Sequence, residues 1–88
     1  MGEVALKYRI MPESPDSDIE NIVSKLSEVI PDDATIGAHE VKPFAFGLNA
    51  IMVAILGIDR DGFATEVEEG LNGLPEVQTV VLEAQSLI

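Results

Sequence analysis

The amino-acid sequence predicts an α+β domain in which two helices cover one face of a four-stranded antiparallel sheet. Two segments show helical spacing of apolar residues, and four segments have the length and pattern of strands. They follow one another as β-α-β-β-α-β, and the two halves of the 88 residues repeat the same βαβ order. This order is typical of the split βαβ, or ferredoxin-like, arrangement. We expect residues 1–88 to form a single domain.

The first strand is predicted over residues 4–11. Val4, Leu6 and Tyr8 fall on one face, whereas Lys7 and Arg9 fall on the other. Strict alternation of this kind is typical of a strand that is buried on one face.

The first helix follows a turn rich in proline, serine and aspartate. Two starts are open: Ser14 before Pro15, or Ser17 with Glu20 three residues later. The helix is predicted to end at Pro31. Its apolar residues recur at helical spacing: Ile19, Ile22, Val23, Leu26 and Ile30.

The second half of the chain continues with two strands, a helix and a strand. Residues 34–44 are interpreted as a strand with a bulge or bend around Gly37, and the apolar residues 48–58 as the next strand. After a turn at 59–62, a helical stripe is predicted to end at Gly73 and Pro75. The last strand is predicted over residues 77–85. The stripe of the second helix contains Phe63, Val67, Leu71 and Leu74.

The third strand is apolar on both of its faces. Helices cover only one face of this fold, so a strand is expected to alternate apolar and polar residues. The open face is therefore expected to be a modest apolar strip, or to be covered by a partner or by self-association. One set comprises Leu48, Met52, Leu56 and Ile58, and the other comprises Ile51, Val53 and Ile55.

Composition excludes several functional classes. Sixteen acidic and five basic residues give a formal charge of −11, which leaves no basic patch for nucleic acid. The chain has no cysteine, and its start lacks the basic flank and apolar run of a signal peptide. The longest apolar run, residues 50–56, is too short to cross a bilayer. We expect a cytoplasmic protein.

Catalytic and metal-binding patterns are weak. His39 is the single histidine and has no nucleophile to serve. Asp59 and Asp61 flank Arg60 without the further ligands of a calcium loop. No glycine-rich phosphate motif is present. The residues therefore predict an acidic binding module without a cofactor or metal, and not an enzyme.

Residues 37–51, GAHEVKPFAFGLNAI, resemble the guanine-nucleotide exchange domain of the elongation factor 1-beta family. In that domain a Gly-Ala-His opening leads to Pro-x-x-Phe-Gly and an aliphatic strand. The ending VQTVVLEAQSLI is similar to its last strand, and MPESPDSDIE looks like the archaeal form. The resemblance extends over essentially the whole chain.

The resemblance implies an exchange factor that binds elongation factor 1-alpha, releases GDP and lets GTP enter during translation elongation. It implies that Phe46 protrudes from one end of the sheet into the G domain, from a loop shaped by Pro43, Phe44 and Gly47. It also implies that the C-terminal residues reach toward the magnesium and phosphates of the nucleotide. Those residues are Gln85, Ser86, Leu87 and Ile88.

One position departs from the pattern of the family. Separately, two other classes of protein share the predicted element order. Eukaryotic relatives have a penultimate lysine where this chain has Leu87, and its last basic residue is Arg60, so the tail supplies no cation. An ACT-type module would bind a small ligand beside the turn of residues 12–15. An acylphosphatase-like enzyme would need an arginine in an early loop, whereas Arg9 lies within the first strand.

Overall fold

The computed structural model describes residues 2–44 and 47–87 and has the predicted order of elements. The bounds of the strands and helices are β1 Glu3–Pro12, α1 Ile19–Val29, β2 Thr35–Pro43, β3 Asn49–Ile58, α2 Phe63–Asn72 and β4 Val77–Leu87.

The four strands form one antiparallel sheet in the order β2-β3-β1-β4. Tyr8 at the middle of β1 pairs with Val53 on one side and with Leu82 on the other. The ferredoxin-like prediction is confirmed. The two helices bury alternate residues of β1 and β3 in a core that is mostly aliphatic, as expected from four aromatic residues. Its fully buried members include Leu6, Tyr8, Ile10, Ile22, Leu26, Ile51, Val53, Ile55, Val67 and Leu71.

Helix α1 begins later than either predicted start. Asp18 is the N-cap, and its carboxylate accepts a hydrogen bond from the Asn21 N–H at 3.1 Å. Ser14 and Ser17 close a turn of their own: the Ser14 N–H donates to Ser17 Oγ at 3.2 Å, and the Ser17 N–H to Ser14 O at 3.1 Å. Both predicted caps were wrong because these serines satisfy each other, which leaves the exposed helix N–H groups to Asp18.

Three register shifts interrupt the regular pairing of the described strands, and one of them lies between Met11 and Pro12 in the β1–β4 pair. The predicted bulge near Gly37 is confirmed by a register shift between Ile36 and His39 in the β2–β3 pair. A second shift, between Lys7 and Tyr8 in the β1–β4 pair, leaves Glu83 as the extra residue on β4. β4 also extends two residues beyond its predicted end, to Leu87.

The third strand is apolar on both faces, as predicted. Ile51, Val53 and Ile55 are buried under the helices. Met52 and Leu56 lie on the open face, where neighbouring side chains leave them half-buried. The open face is thus a shallow apolar strip.

Candidate functional site

Backbone contacts close the loop between β2 and β3, which contains Phe46, the residue predicted to contact the partner. Pro43 pairs with Asn49, and the Phe44 N–H donates to the Leu48 carbonyl at 2.7 Å. Gly47 has a φ of 77°, a left-handed conformation that side chains disfavour, so a glycine is required there. The structure therefore places Pro43, Phe44 and Gly47 together in one tight loop. Phe46 lies outside the described residues.

Phe44 lies against an arginine that sequence reasoning did not assign to the site. The Arg9 guanidinium carbon lies 5.0 Å from the centre of the Phe44 ring, within the range of a cation–π interaction. Arg9 Nη1 also forms an ion pair with Glu83 Oε1 at 2.6 Å. The alternation of β1 had placed Arg9 on the open face. The bulge that brings Glu83 to it left no sign in the sequence.

The C-terminal candidates lie within the β4 strand. Gln85 pairs with Leu6, Ser86 with Ala5, and Leu87 with Val4 at the start of β1. The side chain of Leu87 is 70% exposed. Ile88 lies outside the described residues. The described part of this segment is thus a strand edge that carries an exposed aliphatic side chain at its end.

The two candidate segments lie at opposite ends of the sheet. Residues 85–87 pair with the first residues of β1, whereas the residue 43–47 loop adjoins the start of β3, beside the last residues of β1. With about 3.3 Å per strand residue, β1 separates the two ends by about 25 Å. The structure therefore forms two separate candidate surfaces on one platform.

A charged network lies at the same end of the sheet as the C-terminal segment. Arg60 Nε contacts Asp33 Oδ2 at 2.8 Å, and its Nη2 contacts Glu66 Oε2 at 2.8 Å. Hydrogen bonds from Arg60 lower the pKa of both carboxyl groups. Arg60 and Gln85 line the same shallow cavity, so the last cation of the chain lies close to the tail, although two carboxylates neutralise it.

The weaker patterns remain isolated. His39 is exposed on the edge strand β2, and Asp59 and Asp61 belong to the turn before α2. Within residues 2–44 and 47–87, no group of three or more His, Cys, Asp or Glu side chains is arranged to hold a metal ion. No helix in the described part of the chain is long and apolar enough to cross a membrane.

The architecture and the features of the loop together define the class of this protein. It is a ferredoxin-like α+β domain that presents a glycine-bounded loop at one end of its sheet and an exposed strand end at the other.

The chain belongs to the EF-1 guanine nucleotide exchange domain family, whose model matches residues 5–88. It is 40% identical to elongation factor 1-beta of Methanococcoides burtonii in an alignment of 80 residues, and this alignment covers 91% of this chain and 90% of the relative. It is 41% identical over 86 residues to that of Methanosarcina mazei, covering 96% and 97%. Elongation factor 1-beta of Halobacterium salinarum is 34% identical over 83 residues, covering 94% of each. The resemblance expected from residues 37–51 is confirmed.

Proposed function

We propose that this protein promotes the release of GDP from elongation factor 1-alpha and its replacement by GTP, in the cytoplasm, during translation elongation. The observation that carries the proposal is membership of the exchange-domain family over residues 5–88. In this proposal the protein shifts a binding equilibrium of its partner and makes or breaks no covalent bond.

The energetics require the protein to prefer one state of its partner. It must bind the nucleotide-free GTPase more tightly than the GDP-bound form, and the coupling is reciprocal. Each tenfold loss of GDP affinity needs about 1.4 kcal/mol of differential contact. A sheet with its loop closed by the Phe44–Leu48 hydrogen bond suits this task, because a preorganised surface loses little entropy on docking.

The proposed contact residues divide between the two ends of the sheet. We assign the loop of residues 43–47, with Phe46 as its aromatic contact, to one surface of the GTPase. We assign residues 85–88 to the surface near its magnesium and phosphates. If both contacts form at once, the partner must present two surfaces about 25 Å apart, which is the length of β1 between them.

Displacement of magnesium in this proposal involves no cation from the tail. Residues 61–88 contain no lysine or arginine. Leu87, which is 70% exposed, acts instead as an aliphatic wedge that rearranges loops of the partner around the metal. The ACT-type alternative gains no support from the turn after β1, since Ser14 and Ser17 already bond each other there.

The test is release of a fluorescent GDP analogue from the cognate elongation factor 1-alpha, followed with and without the protein. Phe46→Ala should fold normally and lose exchange by about thirtyfold, the loss of about 2 kcal/mol that defines an interface hot spot. Val41→Ala is the matched control, because it shortens another exposed apolar side chain of the same hairpin. No acceleration of GDP release by saturating wild-type protein would refute the proposed function.

Self-association through the open face remains a prediction. The half-buried Met52 and Leu56 leave a shallow strip there, and sedimentation at several protein concentrations would measure any dimer.

A further inference from the structure

The open face of the sheet carries a contact that joins three elements of the fold. Arg9 lies on the central strand β1, Phe44 directly follows β2, and Glu83 lies on the edge strand β4. The guanidinium of Arg9 covers the Phe44 ring at 5.0 Å and is paired with the Glu83 carboxylate at 2.6 Å. We infer that Arg9 is a positioning residue, which fixes the Phe44 side chain and thereby the start of the loop at Pro43 and Phe44.

The chemistry of arginine suits this position. A planar guanidinium can lie with its face on an aromatic ring while one nitrogen at its edge pairs with a carboxylate, as Nη1 of Arg9 does with Glu83, and a lysine ammonium cannot do both. The side chains of Arg9 and Glu83 are 29% and 33% exposed. This partial shielding reduces the solvent screening that makes most surface ion pairs weak.

The bulge on β4 aims Glu83 at Arg9. Arg9 pairs with Val81, so an unbroken antiparallel register would set Glu83 directly opposite Lys7. The register shift places Ala84 opposite Lys7 instead and leaves Glu83 as the extra residue. Bulges commonly redirect a side chain in this way. The bulge in the edge strand β4 thus brings Glu83 into the ion pair with Arg9.

The loop needs a side-chain anchor in addition to its backbone bond. The Phe44 N–H donates to Leu48 at 2.7 Å, which closes the backbone but leaves the ring free to turn about its own side-chain bonds. Phe44 is 47% exposed, so burial alone holds its side chain only in part. Arg9, whose strand is held between two neighbours, supplies a fixed surface for that ring.

The functional consequence rests on the proposed exchange activity. If the loop is ordered before docking, loss of Arg9 should weaken binding of the GTPase but leave the rate at saturation unchanged, because the docked loop is ordered in either case. For Arg9→Met we expect the concentration of protein at half-maximal GDP release to rise about fivefold, which corresponds to about 1 kcal/mol.

The matched control is Lys7→Met, which removes the same charge from the same face of the same strand. Lys7 pairs with Ala54 and Ala84. We expect it to keep the wild-type half-maximal concentration. Arg9→Lys keeps the charge without the planar stack, and it guards against loss of folding in the methionine variant. It should also raise the half-maximal concentration, with a thermal midpoint close to that of the wild type.

A second measurement follows the loop without the GTPase. Backbone NMR shifts of residues 43–48 and hydrogen exchange of the Phe44 amide should change in Arg9→Met and Arg9→Lys, and stay unchanged in Lys7→Met. Loosening of the loop in both Arg9 variants supports the inference even if the wild-type protein proves inert toward GDP release, an outcome that would refute only the proposed function. Unchanged loop signals in the Arg9 variants, or an equal effect of Lys7→Met, would overturn it.

Discussion

Substitution of Gly70 by alanine tests how closely the two helices pack. A Cβ built on Gly70, in the last turns of α2, would lie 1.9 Å from the carbonyl oxygen of Val29 at the end of α1. Real Cβ contacts are essentially never shorter than 3.0 Å, so the two helices would have to move apart by more than about 1 Å. The obstacle is a backbone atom, and no change of side-chain rotamer can remove it.

Two effects of opposite sign decide the outcome. Alanine improves helix propensity over glycine by about 1 kcal/mol. Overpacking typically costs about 1–3 kcal/mol, and a clash with rigid backbone belongs near the upper limit. We therefore expect Gly70→Ala to lower the free energy of unfolding by about 2 kcal/mol. For a domain of this size, that corresponds to a fall in the melting temperature of about 8–16 °C.

The assay is urea and thermal unfolding followed by far-UV circular dichroism, with Gly73→Ala as the matched control. Gly73 follows the same helix, has a φ of −80°, and its added Cβ would meet only ordinary contacts at 3.4 Å or more. Alanine there should leave stability unchanged or raise it by up to about 1 kcal/mol. If Gly70→Ala proves as stable as Gly73→Ala, the close approach of α2 to Val29 is not as described.

Two further predictions concern pH. Burial, with a smaller contribution from Glu68, raises the pKa of Tyr8 from 10.0 to about 12, so stability present below pH 10 should be lost as the pH rises toward 12. Ultraviolet absorbance of this single tyrosine should show ionisation only near that upper value, and a phenol that titrates near pH 10 in the folded protein would contradict the prediction. Hydrogen bonds from Arg60 lower the pKa values of Asp33 and Glu66 in the folded protein below their ordinary values of 3.8 and 4.5. The ion pairs therefore stabilise the fold fully above these ordinary values, and this stabilisation is lost as the pH falls through the lower pKa values of the folded state. Unfolding of Arg60→Met in urea should therefore depend less steeply on acid than that of the wild type, and identical acid profiles would show that the network contributes nothing.

The elements with a local signature were predictable from the sequence. The alternation around Tyr8 and the helical spacing that ends before Pro31 and Pro75 each depend on neighbours in the chain, and the structure confirms these elements. The start of α1 was not predictable, because Ser14, Ser17 and Asp18 are all good caps. The choice among them depends on the hydrogen bonds of the preceding turn in three dimensions.

The candidate site was predictable only in part. The segment around Pro43 could be recognised, and the structure gathers its described residues into one loop. Arg9 was placed on the correct face. Its contacts with Phe44 and Glu83, however, depend on the packing of the loop and on a bulge in β4, the strand next to β1. The distance between that loop and Leu87 follows from which strands pair, and this information lies in the fold and not in either segment.

The bulges also affect how the edge strands of the sheet could pair with a strand of another chain. Each outermost strand carries at least one, beside Gly37 on β2 and at Glu83 on β4. An incoming strand would meet donors and acceptors that fall out of step within a few residues, and at β4 it would also meet a carboxylate. Although its third strand is aliphatic on both faces, the sheet therefore makes a poor template for further strands, and growth into fibrous aggregates is obstructed at each side.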